Sequence, residues 1–224
     1  MARTSIATDN FNATLSGNWT QLNTVNGSIA TFSGPTVFSG DTSGAVTGSG
    51  NGSGNASARW TGTGTFTEDQ YAEITIPFID PQSVENYNIG VICRASAGLS
   101  SGLYRDNLVG LSMAANDPGG TTKSVTLYKV VGQTYTSLNT GGITFSAGSK
   151  LSLECQGTTA YACVDGVRLG GAWSGSISDV PSGGKPGVSG AGSANFIYGD
   201  DWVGGNLTSG LAVISHYYRM LRAS

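Results

Sequence analysis

Between Lys150 and Gly190 the chain commits to short strands joined by tight turns. Leu151 and Leu153 alternate with Ser152 and Glu154, the two-residue period of a strand with one buried face. Gly157-Thr158-Thr159 breaks that run, and Asp165-Gly166 supplies a second turn whose residues both tolerate positive φ. The pairing across the first turn sets the fate of two cysteines. With Thr158-Thr159 as the turn, Cys155 faces Ala162 and Leu153 faces Val164, which keeps apolar residues on one side. A register with Cys155 opposite Cys163 would set Leu153 against Asp165. The first register is preferred, leaving Cys93, Cys155 and Cys163 as separate thiols. Three cysteines are too few for a disulfide scaffold, and they lack metal-ligand spacing.

The same rhythm runs through the chain. Ala58–Thr61, Gln70–Ile79, Asn88–Ala95, Leu103–Ala115, Ser124–Leu138 and Leu211–Met220 read as strands. In the second of these, Ala72, Ile74, Ile76 and Phe78 face one way and Tyr71, Glu73 and Thr75 the other. Pro77 lacks an N–H donor and marks an edge strand or the end of pairing. Residues 40–57 are so rich in Gly, Ser and Asn that they read as loop. No helical pattern longer than a turn or two survives, and ten or more short strands at this spacing imply a sandwich or jelly roll.

Composition narrows the partners. Charged residues are only 11% of the 224, against ~25% ordinarily, and glycine reaches 35 residues. With a net charge of −3 and no Lys/Arg cluster, nucleic-acid binding is disfavoured. No apolar run approaches the ~20 residues of a membrane span. The opening MARTSIATDNF lacks the apolar region of a secretory signal, so the six Asn-x-Ser/Thr sequons follow from composition.

The opening DNF with NWT, then FTEDQYAEITI, NIGVICRAS, SVTLYKV, the KLSLECQG–ACVDG hairpin and GKPGVSG together resemble concanavalin A-like (laminin-G-like) jelly rolls. The FTEDQYAEI and GKPGVSG pieces resemble those of tailed-bacteriophage virion proteins and bacterial glycan-binding modules. The resemblance implies an all-β fold: one jelly roll of two antiparallel sheets over residues 1–224, with 1–8 as an N-terminal arm and the first strand paired to the last. It further implies a non-enzymatic virion structural protein, a capsid decoration or tail-associated component. Such a protein would be assembled in the host cytoplasm and held by homo-oligomeric and other virion contacts. A glycan-binding lectin module is the alternative, and a glycan hydrolase or polysaccharide lyase a further one.

Catalytic templates are poorly met. Glu68 and Glu73 fall on opposite faces of a regular strand, so they do not make the paired carboxylates of retaining glycosidases. His216, Tyr217, Tyr218 and Arg219 have residue types a lyase would use, but alternation splits them between two faces. The better candidate is the segment ANFIYGDDWVGGN, read as a loop. Tyr198 and Trp202 beside Asp200 and Asp201 would form a glycan platform, rings packing on sugar faces and carboxylates accepting hydroxyls. The competing reading has Trp202 capping the core, with the same ambiguity for Trp60 and Trp173. Asp200 and Asp201 are also a weak Ca2+ candidate, since carboxylates and backbone carbonyls are suitable ligands but the spacing matches no EF-hand. No other cofactor is expected.

Overall fold

The computed structural model describes residues 1–11, 17–22, 27–32, 45–50, 56–79, 88–96, 107–114, 122–191 and 197–208. Those residues form strands β1 (Ala2–Asp9), β2 (Trp19–Gln21), β3 (Gly27–Phe32), β4 (Ala45–Gly50), β5 (Ala56–Trp60) and β6 (Gln70–Ile79). Next come β7 (Asn88–Ala95), β8 (Asn107–Ala114), β9 (Thr122–Val131), β10 (Thr134–Thr144) and β11 (Lys150–Gln156). The series ends with β12 (Thr159–Val164), β13 (Val167–Arg168), β14 (Ser174–Ser176), β15 (Lys185–Ala191) and β16 (Ile197–Thr208).

The strands make an all-β jelly-roll sandwich of two antiparallel sheets. Sheet A runs β13-β12-β11-β6-β16-β4-β3, with β1 also paired to β16 and β14 to β12. Sheet B runs β10-β9-β8-β7-β15-β5-β2. The inward sets predicted by alternation meet between them: Ala72, Ile74 and Ile76 from β6 and Leu151 and Leu153 from β11 pack toward Val91 of β7 and Leu111 of β8. Each is fully buried. Tyr71, expected on the other face, is buried too, because the Arg3 guanidinium lies 5.0 Å above its ring.

Several boundaries differ from those expected. The expected arm 1–8 is a paired strand: β1 aligns with β16 from Ala2↔Thr208 to Asp9↔Trp202. The expected loop 40–57 contains β4 and the first residues of β5. Ser124–Leu138 is two strands, broken by a hairpin turn at Gly132-Gln133, where both φ angles are positive (51° and 69°). The β11–β12 turn is Gly157-Thr158 rather than Thr158-Thr159, because Gly157 takes φ 52°. Cys155 therefore pairs with Ala160 and Leu153 with Ala162, a slip of two residues that keeps every side chain on its expected face. All three thiols are free and buried. Strand β6 is central, not an edge. It tolerates Pro77 because its pairing to β11 stops at Thr75 while the β16 register shifts between Tyr198 and Asp200. Asp165 closes its turn as expected, accepting Lys150 N at 2.8 Å and Ser149 Oγ at 3.1 Å. The Leu211–Met220 strand lies outside the described residues.

Candidate functional site

The segment expected to carry a glycan platform is strand β16, and its tryptophan faces inward. Trp202 is fully buried, so it presents no ring to a ligand. Its indole stacks on Trp60 at 5.6 Å and meets Trp19 edge-on at 4.8 Å, while Phe11 leans on Trp19 at 5.8 Å. Every indole N–H in the cluster has an acceptor: Gly187 O for Trp202, Thr63 O for Trp60 and Asp9 Oδ2 for Trp19. The Asp9 carboxylate also takes Phe11 N at 2.8 Å, which fixes the opening DNF motif against the core. Trp173 is half-buried and packs on the edge of the same core.

Asp200 and Asp201 do not form a shared ligand set. Asp200 is buried and its Oδ1 accepts Asp201 N at 2.7 Å, whereas Asp201 is exposed on a left-handed step at φ 47°. Among the described residues no group of three His, Cys, Asp or Glu side chains is placed to hold a metal ion. The backbone of Tyr198 pairs with Phe78, while its side chain lies outside what the structure describes, as do Asn195 and His216 to Arg219.

The outer face of sheet A carries most of the ionic chemistry, and that chemistry is internally satisfied. Arg3 reaches across β16 to Glu73 and Glu154, at 2.7 Å each. Glu154 takes a second guanidinium, Arg168, at 2.6 Å, and Lys150 stands 3.4 Å from Glu73. Arg168 also covers the Tyr161 ring at 3.7 Å. Glu73 and Glu154 are diagonal neighbours on β6 and β11, since Glu154 pairs with Tyr71. Burial pushes the Glu154 carboxyl up, but hydrogen bonds from Arg3 and Arg168 outweigh it and hold the group below its ordinary value. Burial, then the Glu154 charge, raises the Cys163 thiol to about 11, so it stays protonated.

This network makes stability depend on pH. A depressed folded value means the stabilisation is present above the ordinary glutamate value, about 4.3, and is lost as pH falls through the folded one. Urea unfolding at a series of acid pH values is expected to show Glu154→Gln less stable near neutrality, with a shallower acid loss than wild type. Parallel pH profiles would contradict the assignment.

Sheet B presents the opposite condition. Among the described residues, four buried side-chain atoms have no hydrogen-bond partner: Arg59 Nε, Asn88 Oδ1, Tyr128 Oη and Ser189 Oγ. Their inward neighbours Ala58, Ile89, Leu127 and Val188 belong to the core, so alternation puts all four on the outer face of sheet B. Three are contiguous. Arg59 pairs with Gly187, Ser189 with Gly90 and Asn88 with Ala191, so Arg59, Ser189 and Asn88 step diagonally across β5, β15 and β7. Tyr128 shares a cross-sheet row with Arg59 through Gly187, Ile92 and Gly110. That row spans four strand gaps, about 19 Å.

The same face has an apolar floor of Ile92, Leu108 and Val130, each fully buried. Tyr128 lies over Gly110, where an added Cβ would fall 2.2 Å from Cζ. Its ring stacks at 5.1 Å on Tyr135, which is 38% exposed. None of the seven strands of sheet B contains an Asp or Glu. Those floor residues and unpaired atoms are buried within the chain itself, so they offer a ligand no surface, and the ring on this face that is open is Tyr135. The sequence conceals it because Ser124–Leu138 reads as one strand, which hides Tyr135 opposite Val130.

In sequence the chain matches no protein-family model and no curated protein. In fold it is similar to a Bacillus subtilis protein of unknown function with a galectin-like fold, at TM-score 0.54 and 8% identity over 92% of this chain and 98% of that one. It is also similar to a legume lectin-like domain from Entamoeba histolytica, at 0.51 and 13% over 86% and 91%. LamAcat from Zobellia galactanivorans matches at 0.50 and 12% over 91% and 98%. At these identities the likeness establishes the jelly-roll fold.

Proposed function

We propose that this chain is a non-enzymatic glycan-binding module whose ligand lies on the outer face of sheet B. The observation that carries the reading is the Tyr128–Tyr135 stack, whose outer ring, Tyr135, is exposed on that face. A sugar's apolar face packs on a tyrosine ring of this kind, leaving its hydroxyls free to meet water or neighbouring polar groups.

The carboxylates support the non-enzymatic half. A glycosidase acid needs a raised pKa. Sheet B strands hold no carboxylate, and on sheet A the Glu154 carboxyl is depressed and ion-paired. The virion placement rests on sequence resemblance alone, and none of the three similar folds is described as a virion protein. Affinity gel electrophoresis against soluble polysaccharides is the test. Tyr135→Ala is expected to weaken retardation about tenfold, while Lys150→Ala on sheet A leaves it unchanged. Binding indifferent to Tyr135, or release of reducing ends from a retained polysaccharide, would overturn the reading.

A further inference from the structure

Cys93 and Cys155 come from opposite sheets and meet in the core. Cys93 lies on β7 of sheet B and Cys155 on β11 of sheet A, and both are fully buried in the same cluster. Both are free, and their thiols hydrogen-bond one another. Cys93 Sγ also reaches the backbone of the facing sheet, donating to Leu153 O at 3.8 Å. A side chain as short as cysteine spans that gap only where the layers approach closer than the ~10 Å usual between packed sheets. Small neighbours permit the approach. Ala72 and Ala162 flank Leu153 on β6 and β12, and Ala160 pairs with Cys155, so fully buried alanines line the sheet A side of the pair.

Cys163 has no access to these two thiols. It pairs with Ser152 and so faces outward, toward the side of sheet A that carries Glu154, Arg3 and Arg168. Cys155 alternates with Glu154 and faces inward with Leu153. Only one pairing of the three cysteines is open to the folded chain.

We infer that Cys93 and Cys155 form an inter-sheet disulfide when the chain folds in the presence of a small disulfide, locking sheet A to sheet B. The thiolate of one cysteine attacks the small disulfide, giving a mixed disulfide and releasing one small thiol. The second cysteine then attacks the protein sulfur of that adduct, closing the S–S bond and releasing the second small thiol. The protein loses two electrons and two protons, and the small disulfide gains both. Burial sets the order of events. Burial, then the hydrogen bond with Cys155, pushes the Cys93 thiol well above its ordinary value, so in the folded chain it keeps its proton and stays unreactive. Exchange belongs to the unfolded or partly folded chain, and the closed core then shields the bond. The cross-link removes the freedom of the long loop between positions 93 and 155 from the unfolded state, which stabilises the fold. Neither step involves the glycan-binding face.

The test refolds the full chain from urea with oxidised and reduced glutathione, then unfolds it again and counts free thiols by maleimide mass tagging. One tag per chain is expected, on Cys163, with a Cys93–Cys155 peptide in the digest. The cross-linked protein is expected to melt about 5–15 °C above the same protein refolded with a reductant. Cys163→Ala should keep the cross-link and the shift, whereas Cys155→Ala should lose both. Folded, reduced protein incubated with the same small disulfide is expected to keep its thiols far longer than the unfolded chain does. No loss of free thiols on oxidative refolding, a cross-link that includes Cys163, or a cross-linked protein no more stable than the reduced one would each overturn the inference. Oxidation of the folded protein as fast as the unfolded chain would overturn the order of events.

Discussion

Trp202→Ala is expected to unfold this protein at markedly lower denaturant, with a loss of about 3–5 kcal/mol. The side chain is fully buried and touches two other indoles, so its removal leaves a cavity at the junction of the two sheets. Trp202 belongs to sheet A, while Trp19 and Trp60 belong to sheet B, so this ring packing joins the two layers. The variant also strands Gly187 O, which the indole N–H reaches at 3.2 Å. Trp202→Phe should recover the packing in part and the hydrogen bond not at all. Urea unfolding followed by fluorescence measures both. A loss under about 1 kcal/mol for the alanine variant would mean the core closes over the gap. The contrast with Tyr135→Ala is the useful one: the first variant is expected to cost stability, the second affinity.

The segment around Trp202 shows where reading a chain in one dimension succeeds and where it stops. Alternation locates β7 at Asn88–Ala95 to the residue, because each apolar side chain there has its own face to fill. The Asp9–Phe11–Trp19 opening is legible only as a resemblance, and the structure supplies its physical basis: the Asp9 carboxylate accepts the Phe11 N–H and the Trp19 indole N–H. Residues 194–206 read as a loop because glycine and aspartate ordinarily mark turns. Here Gly204 and Gly205 serve close packing. A Cβ on Gly204 would lie 2.5 Å from the Trp202 ring, and one on Gly205 would lie 2.1 Å from Thr4 O. Those demands come from the way the Trp202 ring turns into the core and from the N-terminal strand, and neither is visible locally. The sheet B face is illegible for the same reason. Arg59, Asn88, Tyr128 and Ser189 come together only through the register of β5, β15, β7, β8 and β9. What the sequence does carry is the absence of Asp and Glu from those strands, a signal that gains meaning once the strands share a sheet.

Arg94 is expected to be the other position where one substitution threatens the fold. It is buried in β7 of sheet B, yet its guanidinium bonds the turns of sheet A. Nε and Nη2 donate to Glu68 O at 3.2 and 3.0 Å, and Nη2 donates to Gly157 O at 2.6 Å. Its backbone N donates to Gln70 Oε1 at 3.0 Å, and Gln70 in turn donates to Thr67 O and Gly184 O. Asp69 adds a bond from Gly157 N at 2.6 Å, so the turn before β6 and the β11–β12 hairpin are held by one buckle. Truncation to alanine strands two carbonyls, at roughly 1–3 kcal/mol each, for a loss of about 2–6 kcal/mol. Backbone conformation separates this loss from a second one. Arg94 sits at φ 53°, a left-handed conformation that costs a residue with a Cβ roughly 1–2 kcal/mol and glycine nearly nothing. Arg94→Gly should therefore be less damaging than Arg94→Ala by about 1 kcal/mol, though both lose the guanidinium. Arg94→Lys keeps the charge, but a single ammonium cannot reproduce the fork that reaches both turns, so it should fall between wild type and alanine. Equilibrium urea denaturation of the three variants orders them. An alanine variant as stable as wild type would show that the two sheets need no buckle at this end, and a glycine variant no better than alanine would remove the strain from the account.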